Sequence, residues 1–251
     1  MPRQPLGQHF LIKGSFLDRI ARAVCPEREP LVIEIGPGRG ALTERLLARA
    51  ARVVAVEIDR ELVDFLRNRF PNEPRLTVIH ADALEADLSQ WGPAPIAGNL
   101  PYYAATPIIE KVLVLNFPRA VFLVQKEVAL RLTATPGSRD YGYLSVRTRF
   151  FADAEVLFDV SPSAFRPPPK VDSAVVRFKP HRRAAELRIA DEDRFLAFAS
   201  LCFRQKRKTI RNNLARAYGK PVLEALPEAA KRAEQLTLEQ FAALYQRVVP
   251  S

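Results

Sequence analysis

The chain has 251 residues, of which 48% are apolar, so it is long enough to bury the core of one large domain, or of one large and one small domain. No run of 18 apolar residues occurs, which argues against a membrane-spanning helix. With two distant cysteines and three scattered histidines, we expect neither a disulfide framework nor a metal site.

The start of the chain, MPRQPLGQHFL, has no apolar segment typical of a secretion signal. Together with the low cysteine count this favours a reducing compartment, and we expect a cytoplasmic monomer. The net charge of +10 is concentrated in the C-terminal third, where residues 179–251 contain 15 Lys and Arg against 8 Asp and Glu. Such a basic region favours a polyanionic partner, most simply nucleic acid.

The predicted elements begin with a helix from Phe16 to Val24, whose apolar residues recur at helical spacing. The stretch VIEIGPGRGALT, residues 32–43, then predicts a buried strand, a tight turn containing three glycines, and a helix. Such a turn presents the backbone N–H groups of a helix start to a ligand, which is typical of a nucleotide-type cofactor loop. We assign Gly36 and Gly38 to this loop; an ordinary strand-to-helix turn is the alternative.

The next predicted strand, residues 53–58, places Glu57 at its carboxyl end, 21 residues after Gly36. A carboxylate at this position accepts hydrogen bonds from both hydroxyls of a ribose, so a cofactor with a free ribose diol is predicted. Considered alone, Glu57 has a plainer alternative, a solvated surface glutamate.

Further strands are predicted at 76–79, 95–97 and 120–125, and helices at 60–69, 106–115 and 126–133. This alternation indicates an α/β fold with a mainly parallel sheet. Because the carboxyl ends of parallel strands meet at one edge, we expect Gly36, Glu57, Asp82 and Asn99 to be neighbours there.

The later part of the chain is predicted to contain a helix at 144–151 and strands at 156–160 and 174–178. The proline-rich segment FRPPPK, residues 165–170, lies between these strands and is expected to be a positioned loop. From about residue 191 the pattern predicts helices only. We therefore divide the chain into an α/β domain, 1–180, and a small all-α domain, 181–251.

A cluster of cations without any acid occurs at 202–216, where a basic helix through Ala217 is predicted. Phe203, Ile210 and Leu214 supply the core side of this helix. The residues expected to bind RNA are Arg204, Lys206, Arg207, Lys208 and Arg211.

Five short motifs, distributed over both domains, carry a family resemblance. They are GQHFL at 7–11, EIGPG at 34–38, NLPY at 99–102, VQKEV at 124–128 and FRPPPKVDS at 165–173. They resemble the ribosomal RNA adenine dimethyltransferases, and the chain as a whole, including RKTIRNN at 207–213, is most similar to the bacterial small-subunit members.

The resemblance implies a Rossmann-like class I methyltransferase domain, S-adenosylmethionine as cofactor, and dimethylation of two adjacent adenosines near the 3′ end of 16S ribosomal RNA in an assembling small subunit. It further implies a role for each matching cofactor residue. His9 and Leu11 line the methionine side, Gly36 and Gly38 contact the cofactor, Glu57 holds the ribose, Asp82 the adenine, and Asn99 lies beside the methyl. At position 9 the family more often has Asn than His.

The chemistry of the NLPY motif follows from the residues themselves. An adenine amino nitrogen is a poor nucleophile, because its lone pair is delocalised into the ring. A catalyst must therefore accept hydrogen bonds from its N–H groups and favour a pyramidal nitrogen. Asn99 supplies a side-chain oxygen, and Leu100, followed by the rigid Pro101, a backbone carbonyl. Tyr102 offers a ring on which an extruded base can stack, and Phe165 is expected to cover the other face of the base.

Three other functions are compatible with parts of the sequence. A nicotinamide-dependent oxidoreductase would use the same glycine turn and Glu57, but it leaves the NLPY motif unexplained. A non-catalytic RNA-binding assembly factor could have the same fold. A methyltransferase of the large-subunit, resistance type would share the active-site motif and differ in its target.

Overall fold

The computed structural model describes residues 9–249, and its contacts divide the chain into two compact units. The first unit comprises the described residues up to Ala129 together with Ala154–Pro180, and the second comprises Leu130–Asp153 together with the described residues from His181 onward. The predicted division at 180 assigned the segment 130–153 to the first domain, whereas its contacts are with the second unit. The aromatic pair Phe150 and Phe195, with ring centroids 5.1 Å apart, illustrates these contacts.

The regular elements are numbered in chain order. The strands are β1 (Phe10–Leu11), β2 (Val32–Ile35), β3 (Val53–Glu57), β4 (Leu76–His80), β5 (Ile96–Asn99), β6 (Ala120–Gln125), β7 (Ala152–Val160), β8 (Phe165–Arg166) and β9 (Ser173–Pro180). The helices are α1 (Gly14–Val24), α2 (Ala41–Leu47), α3 (Arg60–Arg69), α4 (Ala105–Leu113), α5 (Lys126–Thr133), α6 (Tyr143–Phe151), α7 (Glu192–Cys202), α8 (Ile210–Tyr218), α9 (Lys220–Glu224) and α10 (Leu238–Val248). Four short 3₁₀ turns lie at Leu88–Trp91, Pro162–Ala164, Pro227–Ala230 and Ala233–Gln235.

A seven-stranded sheet organises the first unit, with the strand order β4-β3-β2-β5-β6-β9-β7. The five strands from β4 to β6 run parallel, and β9 pairs antiparallel with β6. The strand order reverses at β2, which pairs with β3 on one side and with β5 on the other. In an open parallel sheet, this switch point is where the carboxyl ends of the strands form a ligand crevice.

Apolar runs explain why these segments form interior strands. Val32, Val53, Val54 and Val121 are completely buried, because helices cover both faces of the sheet at its central strands. Helix α1 contributes Leu17, Ile20, Ala21 and Val24 to the core cluster that also contains residues of β2, β3 and β6. The predicted α/β fold with a mainly parallel sheet is confirmed.

A second, two-stranded sheet joins distant parts of the first unit. In it, β1 pairs antiparallel with β8, with Phe10 opposite Arg166 and Leu11 opposite Phe165. The pairing anchors the start of the FRPPPK segment against the residues around His9. Of the predicted motif at 7–11, Gly7 and Gln8 lie outside the described residues.

The predicted basic helix is shorter than expected, because α8 begins only at Ile210 and the cations before it lie in a loop. Thr209 caps α8 by accepting a hydrogen bond from the N–H of Asn212, at 3.4 Å. The largely buried Asn213 donates to the carbonyls of Cys202, at 2.7 Å, and Gln205, at 3.3 Å. These bonds satisfy the end of α7 and hold the loop in a compact, non-helical course.

Aromatic side chains form much of the core of the second unit. Phe195 of α7 and Tyr245 of α10 meet edge to face at 5.5 Å, and Phe203 and Phe241 lie 5.5 Å apart. Within residues 9–249, no helix is long and apolar enough to cross a membrane. The same residues contain no group of three or more His, Cys, Asp or Glu side chains placed to hold a metal ion.

Candidate active site

A cavity of about 1270 Å³, part of it open to solvent, lies at the carboxyl edge of β2, β3 and β5. Its walls include ten of the eleven residues predicted to bind the cofactor or the target base. They are His9, Leu11, Gly36, Gly38, Glu57, Asp82, Asn99, Leu100, Pro101 and Tyr102. Residues that are up to 93 positions apart in the chain are thus brought to one site.

The glycine turn after β2 forms one wall of the cavity. Gly36, Gly38 and Gly40 have φ values of +67°, +57° and +79°, a region that residues with a Cβ rarely adopt. At Gly38 a Cβ would also lie 3.0 Å from the ring of Phe10. The turn therefore brings bare backbone to the cavity, as a cofactor loop requires.

Glu57, at the end of β3, is only 4% exposed and faces the same turn. Its two carboxylate oxygens accept hydrogen bonds from the N–H of Gly38, at 3.1 Å, and from the N–H of Asp59, at 3.0 Å. Burial raises the pKa of Glu57, and the backbone hydrogen bonds oppose this rise by stabilising the charged form. The structure therefore contradicts the alternative of a solvated surface glutamate.

Asp82 follows β4 and lies on the next part of the wall. One of its oxygens accepts a hydrogen bond from the N–H of Leu84, at 2.8 Å, which fixes the side chain at the start of a turn. Its other oxygen accepts no hydrogen bond from any residue in the range 9–249, so it is free to bind a ligand.

Asn99 ends β5, and its side-chain amide is oriented by a residue 90 positions away. The Nδ2 group donates a hydrogen bond to the backbone carbonyl of His9, at 3.0 Å. This bond uses the donor end of the amide and leaves the Oδ1 atom as the end available to accept hydrogen bonds at the cavity.

The His9 ring is held by contacts of its own. Its Nδ1–H donates to the carbonyl of Pro167, at 2.9 Å, and its ring centroid lies 5.6 Å from that of Tyr102. The residue that differs from the common family pattern thus combines a backbone contact to Asn99 with a side-chain contact to Tyr102. Both contacts position residues of the predicted catalytic motif.

The Leu100–Tyr102 segment is fixed on both sides. The N–H of Leu100 donates to the carbonyl of Leu123 in β6, at 3.1 Å, and the hydroxyl of Tyr102 bonds to Ser173 Oγ in β9, at 2.9 Å. Burial of the half-buried Tyr102 side chain raises its pKa, so the phenol is uncharged at neutral pH. The segment is therefore held in place by hydrogen bonds at both ends, and its Tyr102 ring is uncharged.

Gly98 was not among the predicted site residues, yet the position of Asn99 depends on it. A Cβ at residue 98 would lie 2.5 Å from the backbone oxygen of Ile35, a separation that is not sterically possible. The missing side chain allows β5 to approach β2 closely, just before the strand ends at the cavity. A glycine inside an apolar strand is the sequence signal for such an approach.

Glu34 is a second site residue that the sequence reasoning did not single out. It is 1% exposed, lines the cavity, and accepts a hydrogen bond from the Thr43 hydroxyl, at 2.6 Å. Burial raises the pKa of Glu34 to about 8, the bond from Thr43 opposes the rise, and the charge of Glu57 adds to it. The signal was one acidic residue within the apolar run of β2.

Phe165 does not join the other predicted site residues. It is 4% exposed, pairs with Leu11 between β8 and β1, and belongs to the hydrophobic core cluster instead of the cavity wall. A ring that is buried in the core cannot stack on an incoming base without leaving the core. We therefore withdraw the prediction that Phe165 covers the target base.

The predicted RNA-binding cations belong to the second unit. All five are exposed, with four in the loop between α7 and α8 and Arg211 on α8. Among the described residues they form no salt bridge, and Lys206 Nζ donates to the carbonyl of Arg139, at 2.9 Å. The cluster therefore offers several cations whose charge is not neutralised by neighbouring acids.

The cavity suits a nucleoside cofactor. A backbone cradle that a Cβ would obstruct lies beside Glu57, a buried carboxylate whose hydrogen bonds within residues 9–249 come from backbone N–H groups. Asp82 adds a free carboxylate oxygen, and the remaining lining is largely apolar, including Leu11, Ile58 and Ala83. Such a donor and acceptor set matches a ribose and a purine placed in a mostly apolar pocket.

Known proteins resemble the chain over nearly its whole length. The family model described as ribosomal RNA adenine dimethylase matches residues 2–249. A protein of Acidobacterium capsulatum named ribosomal RNA small subunit methyltransferase A is 44% identical, over 96% of this chain and 89% of its own length. A protein of the same name from Geobacter metallireducens is 41% identical, over 96% of this chain and 94% of its own length.

Two solved structures share the fold closely. A dimethyladenosine transferase from Plasmodium falciparum superposes with a TM-score of 0.81 at 27% identity, covering 94% of this chain and 96% of its own. The 23S rRNA methyltransferase ErmE superposes with a TM-score of 0.71 at 29% identity, covering 96% of this chain and all of its own. With a family model that spans both compact units, the chain belongs to the ribosomal RNA adenine dimethylase family.

Proposed function

We propose that this protein is an S-adenosylmethionine-dependent methyltransferase that dimethylates two adjacent adenosines near the 3′ end of 16S ribosomal RNA. The observation that carries the proposal is the fixed amide of Asn99. Its acceptor oxygen lies at the wall of a cavity that also contains the carboxylates of Glu57 and Asp82.

Each cavity residue is assigned one task in cofactor binding. Glu57 accepts the ribose hydroxyls, Asp82 accepts from the adenine amino group, and the Gly36–Gly38 turn contacts the methionine portion through its backbone. When bound there, S-adenosylmethionine supplies a methyl group on a positively charged sulfur. Leu11 and the backbone of His9 close the methionine side of the cavity.

The target adenine is held by the segment Asn99–Tyr102. The Asn99 Oδ1 atom and the Leu100 carbonyl each accept a hydrogen bond from one N–H group of the adenine amino nitrogen. These two bonds draw the nitrogen lone pair out of conjugation with the ring and direct the lone pair toward the methyl group. The Tyr102 ring stacks on the extruded base. No strong base is needed, because the methylated nitrogen is acidic and loses its proton to water; catalysis is positioning for in-line attack.

The proposed target is the small ribosomal subunit, because the relatives at 40–44% identity over nearly the whole chain carry small-subunit names, whereas ErmE, a 23S enzyme, is 29% identical. The test is transfer of labelled methyl groups to purified small subunits, purified large subunits and free ribosomal RNA. We expect label in two adjacent adenosines of small-subunit RNA. Label confined to 23S RNA would replace this target by the large-subunit one.

The cofactor assignment can be tested at Glu57. We expect Glu57→Ala to weaken binding of S-adenosylmethionine by about 1–3 kcal/mol, the range for hydrogen bonds to a charged group, and to leave RNA binding intact. Calorimetric titration measures this loss, and Glu61→Ala, which changes an exposed glutamate in the first turn of α3, is the matched control. Equal affinity in the two variants would remove Glu57 from the ribose site, and tight binding of NAD by the wild type would favour the oxidoreductase alternative.

RNA binding by the second unit is expected to depend steeply on salt. If about four of the exposed cations meet phosphates, log affinity should fall against log salt concentration with a slope of roughly −3. Replacing Arg204, Lys208 and Arg211 together by Gln should make this slope less steep by about 2. The control replaces three exposed arginines of the first unit, Arg52, Arg60 and Arg67, by Gln, and an equal change in both triple variants would refute a specific role for the cluster.

Two further expectations belong to the same proposal. A ribosomal substrate places the reaction in the cytoplasm, and buried, unpaired Cys25 and Cys202 are compatible with a reducing compartment. We also propose that the protein acts as a monomer. Light scattering at micromolar concentration tests this, since a dimer would have twice the chain mass of 28.2 kDa.

A further inference from the structure

A basic pocket lies in the first unit, away from the cofactor cavity. It is formed by the last turn of α1, the start of β6 and the end of β9, and part of its volume of about 790 Å³ is open to solvent. Four of its eight lining residues are cations and three are prolines. The four cations are Arg22, Arg119, Arg177 and Lys179, and we call this cavity the basic pocket.

Two of these cations are fixed by the protein itself. Arg119 pairs with Glu29, at 2.6 Å, and donates to the carbonyl of Val24, at 2.9 Å. Arg177 donates through Nε to Glu155, at 2.8 Å. Both guanidinium groups are therefore held in place, and each has N–H groups left for a ligand, because a guanidinium carries five donors.

The other two cations have no comparable partner. Lys179 Nζ lies 4.0 Å from Glu155, which already binds Arg177, and the Lys179 side chain is 62% exposed. Arg22 is exposed and forms no hydrogen bond or salt bridge with its side chain among the described residues. The pocket thus combines four cations with two paired carboxylates, which leaves a net positive charge.

The positive charge continues along the exposed face of α1. Arg19 lies one turn before Arg22, and its guanidinium sits over the ring of Phe158, 3.7 Å from the centroid. Phe158 stacks against Phe16, with centroids 6.0 Å apart, and Lys13 lies over Phe16, at 5.5 Å. Lys13 and Arg19, which lie over a pair of stacked rings, thus extend the positive charge of the basic pocket along α1.

We propose that the basic pocket and the adjoining face of α1 bind phosphate groups of the ribosomal RNA at a place remote from the reacting adenosines. The inference rests on the proposed function only for the identity of the RNA. Arginines in fixed positions suit phosphate oxygens, which accept two parallel hydrogen bonds from one guanidinium, and the exposed Arg22 and Lys179 add positive charge at the pocket mouth.

The position of the pocket separates its ligand from the target base. Asn99 lies opposite Leu123 in β6, whereas Arg119 precedes that strand by one residue. At about 3.3 Å per residue, the two sites are roughly 13 Å apart along the strands, before the side chains extend further. The pocket therefore lies toward the amino ends of the parallel strands, away from the target base, and we assign its phosphate to another part of the RNA.

The test compares two double variants of the full chain. Arg22→Gln with Lys179→Gln removes the two exposed cations and leaves the structural pairs of Arg119 and Arg177 intact. Arg52→Gln with Arg67→Gln removes the same charge from exposed positions at the β3 and β4 end of the sheet, and is the control. Filter binding to small-subunit RNA between about 50 and 300 mM salt gives the slope of log affinity against log salt concentration for each.

We expect the pocket variant to have a slope less steep than that of the wild type by about 1.4–1.8, as two lost phosphate contacts predict, while the control changes by less than about 0.5. Arg22→Lys with Lys179→Arg should keep the wild-type slope. On an RNA hairpin that contains only the target adenosines, the pocket variant should bind and be methylated like the wild type.

Three results would overturn the inference: equal slopes for the pocket and control variants, an equal loss of affinity on the short hairpin, or competition by inorganic phosphate alone at millimolar concentration. The last result would identify a site for a free anion. An acidic protein partner would also leave the RNA slope unchanged. Since binding is measured without methyl transfer, a wild type that fails to methylate the RNA refutes the proposed function independently of the pocket.

Discussion

Replacing Asn99 by alanine is expected to lower the rate of methyl transfer at least about 100-fold, the effect of removing one preorganised polar group from an active site. The side chain is held by its bond to the His9 carbonyl, so its Oδ1 atom needs no reorganisation when the adenine enters. Cofactor affinity should change much less, because Glu57 and Asp82 make the predicted contacts to the adenosine part.

Mass spectrometry of the RNA over a time course, continued until the wild type has reacted completely, measures both the rate and the product. The wild type should give two adjacent dimethyladenosines, and Asn99→Ala little product of any kind. Asn116→Ala, at an exposed position of the same unit, is the control and should react like the wild type. A near-normal rate in Asn99→Ala would refute its role as acceptor, and a wild type that stops at monomethyladenosine would refute the dimethyltransferase proposal.

The second methyl transfer makes a more specific demand on this site. After the first transfer the amino group has one N–H left, so one of the two acceptors, Asn99 Oδ1 or the Leu100 carbonyl, loses its partner. The pocket must also have room for the first methyl. Partial loss of function at Asn99 should therefore be visible in the ratio of dimethylated to monomethylated product as well as in the overall rate.

Glu34→Gln is expected to change the pH dependence of the free energy of unfolding, by several kcal/mol between pH 5 and pH 8. In the unfolded chain the carboxyl titrates near its ordinary pKa of 4.5, whereas in the folded protein burial raises its pKa to about 8. Between these values the unfolded state releases a proton that the folded state retains, so the free energy of unfolding falls as pH rises. At about 1.36 kcal/mol per pKa unit, the loss approaches roughly 4–5 kcal/mol above pH 8.

Glutamine removes this titration and can still accept the hydrogen bond of Thr43 through its amide oxygen. We therefore expect Glu34→Gln to gain stability over the wild type steadily from pH 5 to pH 8, and to keep a constant advantage above. Denaturant unfolding of the cofactor-free protein across this range measures the difference. Glu61→Gln, at an exposed position, should show none, and a flat difference for Glu34→Gln would show that Glu34 is charged in the folded protein at neutral pH.

Residues close together in sequence account for most of what was predicted correctly. The apolar runs of β2, β3 and β6 and the helical spacing in α1 and α3 depend on local pattern, and the structure places these elements within about two residues of their predicted bounds. The glycines of the turn at 36–40 have positive φ values that follow from the local course of the chain. Because parallel strands end at one edge, the sequence also predicted that Gly36, Glu57, Asp82 and Asn99 share a site.

The errors concern residues whose environment is made by distant parts of the chain. Phe165 was expected at the cavity, but its pairing opposite Leu11, across 154 residues, places it in the core. The cations at 204–208 were expected on a helix, but the bonds from Asn213 to Cys202 and Gln205 hold them in a loop. A local pattern cannot show such contacts, because each depends on which segments the fold brings together.

The residue pattern predicted the α/β class, the glycine turn after β2 and the chemical groups that line the cavity. The orientation of those groups depends on contacts between distant segments: the carbonyl of His9 fixes the amide of Asn99, and Gly98 allows β5 to approach Ile35. The fold also brought Arg22, Arg119, Arg177 and Lys179 into one pocket, although 157 positions separate the first from the last. The physical reason is that hydrogen-bond direction, burial and combined charge depend on distances between atoms, and the sequence specifies these only through the completed fold.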